Sequence, residues 1–232
     1  MIRRPYAHRP LTRSREDYVK ALFALGGLER AVTVSEVSRR LGVSAPSATN
    51  MLARLARERL VERGRRGESR LTASGGRRAL ATVRRHRLLE TFLVRALALD
   101  WAAVHEEAEV LEHVVSERVL AAIDRLLRHP TEDPHGHAIP DRRGRLPRRA
   151  LLPLAELPAG ARAVVRELRD RDPRRLAGWR RCGLVPGAAV RVRRAALGGA
   201  RELEVNGRLR SLGRASLAGV LVEPAARATH GA

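Results

Sequence analysis

Glu109, Glu112 and His113 stand at positions i, i+3 and i+4 of one helical pattern, so their side chains leave the same face, with His105 one turn earlier on that side. Carboxylate oxygens and imidazole nitrogens gathered at this spacing are ligands for a divalent transition metal. A second pair, His86 and Glu90, lies four residues apart on the preceding helical pattern, where it can face the first set. Asp17, near the start of the first helical segment, either completes the group or is the acidic member of a capping box opened by Ser14. Two other readings compete. Glu106, Glu107, Glu109, Glu112 and Glu117 also make a solvated acidic face that neighbouring arginines would pair with. Glu109-x-x-Glu112-His113 superficially matches the inverted zinc-protease motif His-x-x-Glu-His, but it has Glu at the first ligand position and no hydrolytic context around it.

The elements that must position these groups follow from periodicity and capping. Residues 14–29 read as a helix with Tyr18, Val19, Leu22, Phe23 and Leu25 as its apolar stripe. Thr33 to Glu36 forms a capping box for a second helix, with Val37 and Leu41 inward and Gly42 as its stop. Ser44 caps a third helix with Pro46 in its first turn and Ala48, Met51, Leu52 and Leu55 buried. Two short helices around a glycine-containing turn are a helix-turn-helix. The segments Leu60–Arg63 and Ser69–Thr72, joined by a basic tip from Gly64 to Glu68, add a hairpin wing.

A long helix is expected from Thr72 to about Leu97, with Leu80, Val83, Leu88, Leu89, Phe92 and Leu93 inward. Asp100 would cap a helix over 101–114, and Ser116 the next, whose Val119, Leu120, Ile123, Leu126 and Leu127 should bury a dimer seam as well as a core. Thr131 to Arg149, rich in proline, glycine and charge, reads as a linker. Beyond residue 150 the period changes to two, in short strands at 163–165, 190–193, 203–205, 209–212 and 220–222, with Asn206-Gly207 as a type I′ turn. Asp172-Pro173 starts a short helix among them. The expected architecture is mainly α, with a winged helix-turn-helix over 1–75, a helical dimerisation and metal-binding domain over 76–145, and a small SH3-like β-barrel over 150–224.

The net charge of +21 suits a polyanionic partner, although Lys20 is the only lysine, so arginine-rich codon usage explains part of the total. Where the charges fall therefore says more than their sum. Cys182 is the single cysteine, which excludes an internal disulfide and fits a reducing compartment. No apolar run approaches membrane-spanning length, and the arginine-rich start from Met1 to Arg15 lacks the apolar core of a signal peptide. A soluble cytoplasmic protein with no membrane partner is expected.

Five segments, SREDYVKALFAL, VSEVSRRLGVSAPSATNMLARL, RRHRLLETFL, VHEEAEVLEHVVSE and PHGHAIP, occur in the order and roughly the spacing of the diphtheria-toxin-repressor family of metal-dependent regulators, which the chain resembles over residues 14–140. The tail, with GLVPGAAVRV and NGRLRSLGRASLAGVLVE, resembles the FeoA-like SH3 domain that ends the longer members. The resemblance implies a metal-dependent repressor, not an enzyme, that binds a palindromic operator in double-stranded DNA as a homodimer. It implies a primary metal site of Asp17, Glu109, Glu112 and His113 and an ancillary site of His86, Glu90 and His105. Asp172 falls near a tail ligand of longer members, but capping the Pro173 helix explains it equally.

Hard oxygen ligands at Asp17 and Glu109, where iron-responsive members generally carry sulfur, favour Mn²⁺ with Fe²⁺ second. Lys20 departs from the short manganese-type members, which carry a glutamate there. An ammonium one turn after Asp17 repels a second cation, so two separated sites are expected. His135 and His137 are read as part of a structured turn, since Gly136 and Pro140 explain that segment without metal. The recognition-helix start maps onto Ser44, Pro46, Ser47 and Asn50, with Asn50 as the base-edge reader, while Arg65, Arg66 and Arg70 on the wing contact phosphates. The alternatives are a metal-dependent hydrolase built on the Glu/His cluster, and a winged-helix regulator that answers to a small organic ligand.

Overall fold

The computed structural model describes residues 11–147, 149–195 and 200–225. The arginine-rich start up to Pro10 lies outside the described residues. The chain divides into two compact units, Met1–Arg85 with Pro140–Arg145, and His86–Ile139 with Leu146–Ala232.

In the first unit, α1 (Arg13–Ala24), α2 (Val34–Leu41) and α3 (Ala45–Arg57) precede the antiparallel pair β1 (Val61–Arg63) and β2 (Ser69–Leu71), and α4 (Ala73–Leu97) begins. Tyr18, Val19, Leu22, Val37, Leu52, Leu55, Leu60 and Leu71 meet in one buried cluster, as the apolar stripes require. The Thr33–Glu36 capping box is present in both directions, at 2.8 and 3.2 Å. Val32 bridges Ser69 through two backbone hydrogen bonds of 2.8 Å and so anchors the wing to the helices.

The first helix departs from the expected 14–29. Thr12 occupies its N-cap position and Ser14 lies inside the first turn. It ends at Ala24 because Gly26 turns left-handed at φ +81° and the Gly27 N–H closes onto the Leu22 carbonyl at 2.8 Å. Asp17 is consequently more than one turn into the helix, too far from the N-terminus to be a capping residue.

In the second unit the rest of α4 packs with α5 (Val104–Leu111) and α6 (Glu117–Leu126) around Leu88, Leu89, Leu93, Val104, Ala108, Leu120, Ile123 and Ile139. The helix expected over 101–114 is shorter at both ends. Asp100 Oδ1 accepts the Ala102 N–H at 3.1 Å and so organises a turn before α5, while Glu112 and His113 follow the helix, Glu112 still with helical dihedrals. Of the residues expected to bury a core and a dimer seam, Leu120 and Ile123 are buried, while Val119 and Leu126 are exposed in the single chain. Residues 131–139 are no free linker: Asp133 and His135 are buried and Ile139 joins the core.

The tail of this unit comprises β3 (Leu152–Pro153), a 3₁₀ turn at Leu154–Glu156, β4 (Arg162–Leu168), α7 (Pro173–Arg181), β5 (Ala189–Ala195), β6 (Arg201–Val205), β7 (Arg208–Leu212), α8 (Arg214–Leu217) and β8 (Val220–Pro224). The six strands form one antiparallel sheet in the order β3-β8-β4-β5-β6-β7. The expected barrel is thus corrected to an open sheet, because β3 and β7 are separate edges. β3 is two residues long and ends in Pro153, which has no N–H to donate to a closing ladder. Asn206 and Gly207 both adopt positive φ, 47° and 79°, as a type I′ hairpin requires. Val165, Leu168, Trp179, Val192, Leu203, Leu217 and Val222 form the sheet's core, which Ala102 also enters. No helix among the described residues is long and apolar enough to cross a membrane.

Candidate metal centre

Three donors converge from α4 and α5 of the second unit. His86 Nε2, Glu90 Oε1 and His105 Nδ1 are mutually 3.0 Å apart. Helical spacing sets His86 and Glu90 on one side of α4, and the turn ordered by Asp100 delivers His105 at the start of α5. About 3 Å is also the separation of adjacent ligands in an octahedral shell with bonds of about 2.1 Å. The donor set therefore fits a divalent cation.

The other expected set adjoins this one. Glu112, with 0% of its surface exposed, brings Oε2 to 2.6 Å from His86 Nδ1, and its Oε1 is 3.4 Å from His113 Nε2. Glu109 Oε1 lies 3.2 Å from His105 Nε2. Within this unit the members of the two sets therefore form one continuous cluster, with Glu109 and Glu112 as the links, in place of two groups standing apart. Burial works against an ionised Glu90, yet His86, His105 and His135 hold its carboxyl well below the usual carboxylate range. Asp17 is half-buried on α1 in the first unit, and Lys20, one turn on, is buried at 7% exposure.

Two contributors were not singled out from the sequence as metal-site partners. Arg171, from the tail, places Nη1 3.8 Å from Glu109 Oε1. His135 places Nδ1 4.0 Å from Glu90 Oε2. The His-Gly-His motif was a visible signal for His135, but nothing local indicated that it would be folded against α4. Asp172 accepts the Arg174 N–H at 2.9 Å as the N-cap of α7, which accounts for its position in the sequence.

On the first unit, Ser44, Pro46, Ser47 and Asn50 are all exposed at the start of α3, opposite the buried Ala48, Leu52 and Leu55. Ser44 is the N-cap, accepting the Ser47 N–H at 3.3 Å, and its hydroxyl lies 2.9 Å from that of Ser47. Arg65 and Arg66 are exposed at the wing tip. Arg70 is exposed too, but its Nε and Nη2 donate to the Leu28 carbonyl at 3.3 and 3.0 Å, so the guanidinium braces the wing.

Comparison with known proteins bears on these features. Residues 10–67 match the model described as iron dependent repressor, N-terminal DNA binding domain. Residues 72–141 match iron dependent repressor, metal binding and dimerisation domain, and residues 152–224 match the FeoA domain. The chain is 33% identical over 194 residues to the iron-dependent repressor IdeR of Mycobacterium leprae, covering 76% of this chain and 82% of that protein. It is 32% identical over 127 residues to the diphtheria toxin repressor of Corynebacterium diphtheriae, covering 54% of this chain and 55% of that one. A solved manganese-dependent transcriptional repressor in complex with manganese superposes with a TM-score of 0.84 at 35% identity, covering 91% of this chain and all of that one.

Proposed function

Because the chain belongs to the iron-dependent repressor family, and is accordingly a metal-dependent transcriptional repressor and not an enzyme, we propose that it represses genes of metal homeostasis in the cytoplasm by binding a palindromic operator as a homodimer when loaded with Mn²⁺, or with Fe²⁺ as second choice. The 3.0 Å triangle of His86, Glu90 and His105, inside the segment matched by a metal-binding domain, carries this reading. These three residues are assigned to the ancillary site. Glu109, Glu112 and His113 are assigned to the primary site, which Asp17 joins on its place in the sequence motif. The proposed domains are 1–75 for DNA binding, 76–145 for dimerisation and metal binding, and 150–224 for an SH3-like tail.

A bound divalent ion supplies positive charge to a group of buried carboxylates and ties their helices together. DNA affinity rises only by the ion's differential affinity for the operator-binding arrangement. Asn50 presents an amide that both donates and accepts at base edges, with Ser44, Pro46 and Ser47 lining the approach to the groove. Arg65, Arg66 and Arg70 are assigned to phosphates, the last through donors not committed to Leu28. Carboxylate-rich ligation supports manganese over softer-ligand metals. The reading is tested by fluorescence anisotropy with a palindromic operator: tight binding with Mn²⁺ and a large loss on chelation are expected. Equal affinity in both conditions overturns it.

A further inference from the structure

The strands β4 and β5 bring two arginines together without giving them a carboxylate. Ala163 and Val165 on β4, and Val190 and Val192 on β5, are buried in the core of the tail sheet. Side chains alternate along a strand, so Arg162 and Arg191 point to the opposite, outward face. The antiparallel register sets these two directly across from one another. Residues so paired have Cβ atoms about 5 Å apart, and like charges at that position repel.

Neighbouring arginines on the same strands are neutralised. Arg166 Nη2 is 2.6 Å from Glu223 Oε2, Arg193 Nη1 is 3.4 Å from Glu204 Oε2, and Arg194 Nη2 is 2.6 Å from Glu202 Oε1. Glu204 stands across from Arg191 on its other side, but its carboxylate goes to Arg193. Among the described residues, neither Arg162 nor Arg191 has an ion-pair partner. The Nε of Arg191 is buried and has no hydrogen-bond acceptor there. A buried N–H in this condition is costly, and an added oxyanion removes the cost. Arg162 is exposed and Arg191 half-buried, so a ligand reaches the pair from solvent, and rotation of the Arg191 side chain turns its Nε toward that ligand.

We propose that Arg162 and Arg191 form a phosphate-binding clamp on the outward face of the tail sheet. A guanidinium presents two parallel N–H groups to two oxygens of one anion. A tetrahedral phosphate has oxygens enough for both arginines, and its negative charge relieves their repulsion. The phosphate belongs either to the DNA backbone or to a small phosphorylated or inorganic ligand, and the clamp's chemistry is the same for both.

The test compares the full chain with Arg162→Gln/Arg191→Gln, and with Arg166→Gln/Arg194→Gln as a control that removes two paired arginines from the same strands. Thermal melts are recorded in inorganic phosphate and in chloride at equal ionic strength, without added metal. A ligand held by the folded state raises the melting temperature, so phosphate should stabilise wild type and the control more than the clamp variant. Operator binding against salt, with the manganese-loaded protein, identifies the source. With DNA as the source, the clamp variant loses about one unit of the slope of log K against log salt for each phosphate contact removed. With a small phosphate as the source, the slope stays at the wild-type value and the melts alone respond. An unchanged response in both measurements, or losses no larger than those of the control, overturns the clamp. The melts contain no metal, so their result is independent of whether manganese activates DNA binding.

Discussion

The Nδ1 of His86 and the Oε2 of Glu112 lie 2.6 Å apart across 26 residues of chain, joining α4 to the end of α5. Since His86 also meets Glu90 and His105 through its other nitrogen, this bond couples the two candidate ligand sets that the sequence presents separately.

Removing the Glu112 carboxylate should therefore disturb both sets. Glu112→Gln is expected to lower Mn²⁺ affinity in calorimetry by roughly tenfold or more, the scale seen when an oriented partner of a metal ligand is removed. His113→Ala should abolish metal-activated DNA binding with helical content intact by circular dichroism. Wild-type metal potency in either variant removes these residues from the centre.

The DNA surface divides by chemistry. Arg65→Ala or Arg66→Ala should weaken binding to every sequence and reduce the slope of log K against log salt by roughly one unit for each phosphate that is no longer neutralised. Asn50→Ala should instead cost about 1–3 kcal/mol of discrimination between operator and random DNA. An unchanged preference would take Asn50 off the reading surface.

Stability at acid pH has an identifiable contributor in the first unit. Arg30, the Thr33 N–H and the Thr33 hydroxyl hold the Glu36 carboxyl at about 2, below its ordinary 4.5. A depressed carboxyl stabilises the fold above its unfolded value and loses that contribution as pH falls through the folded one. Between pH 4.5 and 2, wild type should therefore lose its advantage over Glu36→Gln in thermal melts. A constant difference across that window contradicts the assignment.

Val110, Val114, Val119 and Leu126 are 54, 73, 49 and 64% exposed on or beside α5 and α6, within the segment matched by a dimerisation domain. Burying such a face drives association at roughly 25 cal/mol per Å² of apolar area. Val114→Glu and Leu126→Glu together should give a monomer in sedimentation, with weakened operator binding. A dimer of unchanged stability places the interface elsewhere.

The sequence by itself determined what depends on neighbours three or four residues away. The capping box at Thr33, the Ser44 cap and the hairpin signal at Asn206-Gly207 are all local, and local rules read them. Helix ends were less legible: α1 stops at Ala24 because Gly27 folds back onto Leu22, a choice that the apolar stripe running to Leu25 does not reveal. Only the tertiary structure decided that Glu112 bonds His86, that the loop at Asp133–His137 packs against Glu90 and β4, and that the tail sheet stays open. Each of these brings together residues far apart in the chain. Pairing across such distances is fixed by how helices and strands bury their apolar faces against one another, and residue spacing along one element carries no record of it.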